Sequence, residues 1–153
     1  MRLMGGVMNT NIRGQISQYC SLLHEWNASY EEYAKSAGLS YTSLSVLSSI
    51  YSHPNCTQKE IAEDCFLPKQ TVNAVVTSFW KKGWVKLTEL PEDRRNKTVS
   101  FTEEGIVKAE EIMGRVHESE DAAMGKLTQE QRDTLLELTK IYILSCKEAM
   151  KNG

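Results

Sequence analysis

The sequence predicts a mainly α chain with a small two-stranded β-hairpin: a helix-turn-helix carrying a hairpin wing, set between long flanking helices. Three observations predict it. From Thr57 to Lys82, two apolar periods of helical spacing stand back to back around Phe66-Leu67-Pro68. Past Gly83 the period drops to two, in two short runs separated by a charged loop. Before and after this block run longer stretches whose apolar residues make broad helical stripes.

The first long helix spans Asn11 to about Ser36. Ile12, Ile16, Tyr19, Cys20, Leu23, Tyr30 and Ala34 form its stripe, which Leu22, Trp26 and Tyr33 widen. So broad a surface needs two partners: the chain's own helices, and a second copy or a bound ligand. Gly38 breaks the run. Ser40-Tyr41-Thr42 opens a second helix with Leu44, Leu47 and Tyr51 on one side, stopping before Pro54 and propping the helix-turn-helix.

Thr57 with Glu60 has the form of a capping box, in which hydroxyl and carboxylate satisfy amides that a first helical turn leaves free. Ile61, Ala62 and Cys65 continue that helix until Pro68, which disfavours helical geometry in Leu67 and starts the next helix. There Val72, Val75, Val76 and Phe79 make one apolar stripe, and Lys69, Gln70, Asn73 and Thr77 lie off it. This outward set suits a duplex. Gln and Asn can bond an adenine edge bidentately, Thr can meet a thymine methyl or a phosphate, and Lys can reach a phosphate or guanine. Lys81-Lys82-Gly83 ends the helix with cations at the negative dipole end and a glycine stop.

Val85 and Leu87, then Val99 and Phe101, mark the inward faces of two strands. Between them Pro91-Glu92-Asp93-Arg94-Arg95-Asn96-Lys97 is too polar to bury, and an arginine at such a tip can enter a minor groove. Thr102 caps a long helix marked by Ile106, Ala109, Met113 and Val116, with a bend expected near Gly114 or Gly125. A second capping box, Thr128 with Gln131, opens the last helix. Its Leu135, Leu138, Tyr142 and Ala149 make one stripe, while Leu136, Ile141, Ile143 and Leu144 cover other faces, so it is expected to be buried on two sides.

With 41% hydrophobic and 25% charged residues in 153, the chain has enough apolar content for a core and no composition of disorder. No segment approaches the roughly 20 apolar residues of a membrane span, and residues 1–10 lack the apolar run of a signal peptide. A cytoplasmic location is expected, with Met4 and Met8 as alternative starts. Cys20, Cys56, Cys65 and Cys146 show no paired Cys/His spacing, and His24, His53 and His117 are scattered, so neither a metal site nor a catalytic triad is expected and no cofactor is implied. The formal net charge of −2 conceals a polarity. Residues 69–97 carry seven Lys/Arg against three Asp/Glu, and residues 103–137 carry four against ten. A basic head on an acidic body orients toward a phosphate backbone.

Residues 57–102 resemble the winged-helix core of the MarR family of bacterial transcription regulators, above all in Asp93-x-Arg95-x-x-x-Val99-x-x-Thr102 and Leu67-Pro68-Lys69-x-Thr71-Val72. The resemblance implies that Arg95 reaches the minor groove with Asp93 holding it in place. It also implies that the first and last helices of two chains intertwine into a dimerisation domain, and that small aromatic acids or phenols bind between that domain and the winged helix. Where the family usually has glycine between the two central helices, this chain has Phe66. A left-handed backbone there costs a residue with a Cβ about 1–2 kcal/mol, so a looser or differently shaped turn is expected.

The resulting expectation is a homodimeric DNA-binding regulator, more a repressor than an activator, with residues 1–39 and 103–153 as dimerisation segments around a DNA-binding domain at 40–102. A two-fold dimer calls for an inverted repeat with half-sites about one duplex turn apart. Gln70, Thr71, Asn73 and Thr77 are placed on bases, Lys69, Arg94 and Lys97 on phosphates, and Arg95 in the minor groove. Tyr19, Cys20, Trp26, Tyr30, Tyr33 and Tyr51 are the candidate lining of an effector pocket, although aromatic residues at helical spacing also serve as plain core. Three other readings stand beside this one. Cys20 could act as a thiol switch, as in the peroxide-sensing branch of the family, which keeps a reactive cysteine in its first helix. The winged helix could bind protein instead of DNA. Cys20 and His24, at i and i+4, could pair as nucleophile and base, but no orienting third group is evident.

Overall fold

The breaks written into the chain at Gly38, Pro54, Pro68 and Gly83 are where its elements change. The computed structural model describes the backbone of residues 2–152 and the side chains of residues 11–152. In order these are α1 (Arg2–Ser36), α2 (Tyr41–Ser52), β1 (Cys56–Thr57), α3 (Gln58–Cys65), α4 (Lys69–Lys81), β2 (Val85–Glu89), β3 (Lys97–Phe101), α5 (Glu103–Met124) and α6 (Gln129–Lys151). The helical run of α1 therefore continues ahead of Asn11, and the alternative starts at Met4 and Met8 fall where backbone alone is described. The chain divides into two compact units, Met1–Ala109 and Glu110–Gly153.

In the first unit α2 packs against α1, α3 and α4, which is the propping role its apolar side predicts. Leu44, Val46, Leu47 and Ile50 of α2 are buried, as are Ile61 and Ala62 of α3 and Val72, Val76 and Phe79 of α4. Both caps form. The Thr57 hydroxyl accepts the Glu60 N–H at 3.2 Å, and the Glu60 carboxylate accepts the Thr57 N–H at 2.7 Å. The Thr57 N–H, and after it the Thr57 hydroxyl, which donates to the same carboxylate at 3.0 Å, hold the Glu60 carboxyl below its ordinary range. Ser40 caps α2 by accepting the Ser43 N–H at 3.0 Å.

The two-stranded hairpin expected from the sequence forms from β2 and β3, and β1, which the sequence did not mark, extends it to a three-stranded antiparallel sheet in the order β1-β3-β2. Cys56 and Thr57 pair with Val99 and Thr98, covering the edge of β3 that the hairpin leaves open. A two-residue strand has no alternation to read. It is brought into line after Asn55, which takes a left-handed φ of 61° that asparagine tolerates better than most residues. Within the hairpin Val85 faces Phe101 and Leu87 faces Val99. Val85 and Val99 are buried, as their alternation requires.

The turn between α3 and α4 is corrected. It is not loosened: Phe66 adopts φ 53° and ψ 41°, the left-handed geometry a glycine would take. Its N–H donates to Ala62 and Glu63 carbonyls, and the Leu67 N–H donates to the Ala62 carbonyl at 3.0 Å. Those bonds, with the start of α4 fixed at Pro68, offset a strain of about 1–2 kcal/mol.

The wing is locked to the next helix at its base. Thr102 Oγ1 accepts the Gly105 N–H at 3.0 Å, capping α5, and donates to the Gly83 carbonyl at 2.6 Å. Gly83 itself sits at φ 75°. A Cβ on Gly105 would run into the Trp84 carbonyl, so this approach admits only glycine.

In the second unit α5 continues through Gly114 and ends before Gly125, whose N–H donates to the Asp121 carbonyl at 2.8 Å. The Thr128–Gln131 capping box forms, with bonds of 2.9 and 3.2 Å. Arg132 Nη1 donates to the Leu127 carbonyl at 2.6 Å and fastens the turn to α6. The expectation that α6 is buried on two sides is not met within one chain. None of its residues is buried, and Leu135, Leu136, Leu138, Ile141, Ile143 and Leu144 are all exposed, because a stripe that wraps the helix has more faces than one neighbour can cover.

Candidate nucleic-acid interface

The apolar stripe of α4 decides which residues it presents. With Val72, Val76 and Phe79 buried, Lys69, Gln70 and Asn73 fall on the exposed side, while Thr71 and Thr77 are half-buried at its margins. Asn73 is not a free amide: its Nδ2 donates to Gln58 Oε1 at 3.1 Å, linking the middle of α4 to the first turn of α3. The sequence pattern does not single out Gln58, since nothing in its spacing shows which turn of α4 lies against it. Pro68 provides no side-chain cap and the first turn holds no acidic residue, so the positive end of the helix dipole is left uncompensated beside Lys69.

The wing tip is ordered by Asp93. Its Oδ1 accepts the backbone N–H of Arg95 at 3.0 Å, and its Oδ2 accepts Asn96 Nδ2 at 2.9 Å. The Asp93 N–H donates to the Leu90 carbonyl at 3.2 Å, and the Asn96 N–H donates to the Asp93 carbonyl at 3.1 Å. Glu89 and Lys97 close the hairpin as a cross-strand pair. Arg94, Arg95 and Lys97 are exposed. The hold of Asp93 on Arg95 thus acts through the main chain and sets where the side chain leaves the loop.

At the other end of α4, Lys82 Nζ lies 4.8 Å from the centre of the Trp84 ring, which stacks on Phe79 at 5.5 Å. This places one of the two terminal lysines over the residue that leads into the wing's first strand.

The residues expected to line an effector pocket come together in part. Trp26 and Tyr30 meet edge to face at 5.6 Å, and Tyr30 meets Tyr41 of α2 at 6.3 Å. Tyr41 belongs to this row although its own helix stripe does not mark it. Tyr19, Cys20, Tyr33 and Tyr51 are half-buried, and Trp26 is 59% exposed. A cavity of about 280 Å³ lies elsewhere, lined by Ser49, His53, Pro54, Asn55, Cys56, Glu60 and Asp64. Burial pushes the Cys56 thiol up to about 11 and raises that of Cys65, whose Sγ donates to the Ser45 carbonyl at 3.4 Å. Both shifts disfavour the thiolate, which is the nucleophilic form. Among the described residues no group of three or more His, Cys, Asp or Glu could hold a metal ion, and no helix is long and apolar enough to cross a membrane.

Comparison with known proteins agrees with this geometry. The MarR family profile matches residues 37–96. The HTH-type transcriptional regulator SarZ of Staphylococcus haemolyticus is 30% identical over 136 residues, covering 83% of this chain and 88% of the relative. Among solved structures, NMB1585, a MarR family regulator from Neisseria meningitidis, superposes with a TM-score of 0.76 at 24% identity, covering 91% of this chain and 99% of that one. The MepR–DNA complex of S. aureus superposes with a TM-score of 0.69 at 18% identity, covering 85% and 96%. With α4 polar on its exposed side and followed by a wing that carries Arg94, Arg95 and Lys97, and with a relative of this identity aligned over 88% of its length, the chain belongs to the MarR family of DNA-binding transcription regulators, and not to an enzyme family.

Proposed function

We propose that the chain acts in the cytoplasm as a homodimeric repressor that reads an inverted-repeat operator and releases it on binding a small aromatic effector. One observation carries the DNA reading: Lys69, Gln70 and Asn73 are exposed on the outer side of α4, and an ordered tip bearing Arg94, Arg95 and Lys97 follows on the hairpin. In that reading Gln70, Asn73 and the half-buried Thr71 and Thr77 meet base edges. Lys69, Arg94 and Lys97 meet phosphates, and Arg95 enters the minor groove. Segments 1–39 and 103–153 pair two copies. The breadth of exposed apolar surface on α6 supports this, since a monomer rarely keeps so much in water. A dimer spanning two turns of promoter DNA blocks polymerase without further contacts. The Trp26–Tyr30–Tyr41 row, together with Tyr19, Tyr33 and Tyr51, supplies aromatic surface of the kind a phenolic ligand stacks on, with the Cys20 thiol next to Tyr19 in sequence.

The test is enrichment from a random duplex library, with wild type and Arg95→Ala at the same salt. Wild type is expected to enrich an inverted repeat, and Arg95→Ala to bind it about 1–3 kcal/mol more weakly. Enrichment of no sequence by the wild type would overturn the assignment.

A further inference from the structure

Phe66 combines three properties that a neutral surface residue does not need. It is a large aromatic that is 86% exposed, it sits at a left-handed φ of 53°, and it lies three residues before Lys69, in the turn that delivers the N-terminus of α4. Folding alone does not call for the ring, which the core does not hold. Glycine would take the same backbone without strain. A strained residue whose side chain points into water draws its justification from something that side chain meets.

In a helix-turn-helix the N-terminal residues of the second helix approach the base edges of the major groove. The donation of Phe66 and Leu67 N–H groups to α3 carbonyls fixes the backbone of the turn, so the side chain leaves the chain at a set point, three residues ahead of Lys69. A phenyl ring offers no hydrogen bond and no charge to a phosphate. The apolar group that the major groove displays is the thymine 5-methyl, and Phe is among the side chains that contact it.

We propose that Phe66 is a specificity-determining contact, packing on a thymine methyl at one position of each half-site. This rests on the DNA reading of α4 and adds a base contact outside the helix itself. It also gives the departure from glycine a chemical purpose: the ring reads a methyl group that Lys69, Gln70 and Asn73, as polar side chains, read poorly.

The test uses the duplex enriched by the full-length protein, with each thymine replaced in turn by deoxyuridine, which removes only the 5-methyl group. Wild type is expected to lose about 3–10-fold in affinity at one thymine per half-site. Phe66→Gly is expected to bind the unmodified duplex about 5–10-fold more weakly, to be indifferent to deoxyuridine at that position, and to melt at the wild-type temperature or higher. Phe66→Asn, which also tolerates the left-handed backbone, should behave as Phe66→Gly does. If Phe66→Gly binds as tightly as wild type, or stays equally sensitive to deoxyuridine, the contact is absent. Weaker binding by the variant with no methyl dependence in the wild type overturns it as well. A wild type that prefers no duplex would instead overturn the DNA reading on which it rests.

Discussion

The Asp93 carboxylate accepts the backbone N–H of Arg95 at 3.0 Å, and its second oxygen takes the Asn96 amide at 2.9 Å. An acidic side chain thus organises the loop that carries Arg94 and Arg95. The consequence has an unusual sign. Removing a negative charge beside DNA strengthens the electrostatic term, yet Asp93→Ala also frees the Arg95 main chain. We expect Asp93→Ala to bind the operator about 3–10-fold more weakly, with the melting temperature nearly unchanged because the loop is exposed. Asp93→Asn, which keeps an acceptor for the Arg95 N–H, should recover part of the loss. Tighter binding by Asp93→Ala would show that the loop needs no such hold.

Phosphate contacts and base contacts separate by salt. Lys97→Ala and Arg94→Ala should each lower the slope of log K against log salt by about 1 and weaken binding about equally on all sequences. Gln70→Ala should leave the slope unchanged and relax preference at one operator position. Titrations at three or more salt concentrations, on the enriched duplex and on a scrambled one, check both. The same behaviour from Gln70→Ala and Lys97→Ala would remove the division of roles.

At the base of the wing, Gly105 lies so close to Trp84 that an added methyl group meets backbone, which cannot yield as a side chain can. Gly105→Ala should cost about 1–3 kcal/mol in urea unfolding, the usual range for overpacking, or more if the Thr102–Gly83 bond of 2.6 Å is also lost. Gly114→Ala is the contrast. Gly114 lies within α5 with open space at its Cβ position, so alanine there should stabilise by up to about 1 kcal/mol.

Much of the fold was legible in local chemistry. Thr57 and Glu60, Thr128 and Gln131, Ser40 and Thr102 all cap helices where their residue types and spacing place them, because a cap is decided within one turn. The exposed side of α4 followed from its valine stripe. What was not legible depends on contacts distant in sequence. β1 has no pattern of its own and exists by pairing with β3, some 40 residues further along the chain at the Cys56–Val99 pair. Gln58 meets Asn73 across the turn, and Tyr41 extends a row begun on α1. The shape of the Phe66 turn ran against residue preference, because the hydrogen bonds that close it outweigh the strain at one position.

Burial of Cys56 sets a pH dependence at the alkaline end. Its thiol is raised from 9.0 to about 11 in the folded chain, mainly by desolvation. Below about 9 the thiol is protonated in both states, so stability does not change. Between 9 and 11 the unfolded chain loses the proton while the folded chain keeps it, so stability falls with rising pH. Urea unfolding across that interval should show a steeper decline for wild type than for Cys56→Ala. Native Cys56 should also react slowly with iodoacetamide at pH 8 and quickly in urea, since the thiolate is the nucleophile and burial suppresses it. Equal decline in both proteins would show that other groups control the alkaline limb.

The homodimer is most directly tested on α6. Leu138 is 59% exposed and lies on the Leu135–Leu138–Tyr142 stripe, so within one chain it has little packing to lose. Glutamate is a good helix former, and Leu138→Glu should keep the helix while placing a charge in any surface that α6 buries against a second copy. We expect the mass measured by light scattering to halve, and binding to the full inverted repeat to fall at least about 10-fold, because each half-site is then engaged without the effective concentration that linkage provides. Binding to an isolated half-site should be little altered, since Lys69, Gln70, Asn73 and the wing lie in the other compact unit. A variant that keeps the wild-type mass and operator affinity would place the dimer surface elsewhere than on this stripe.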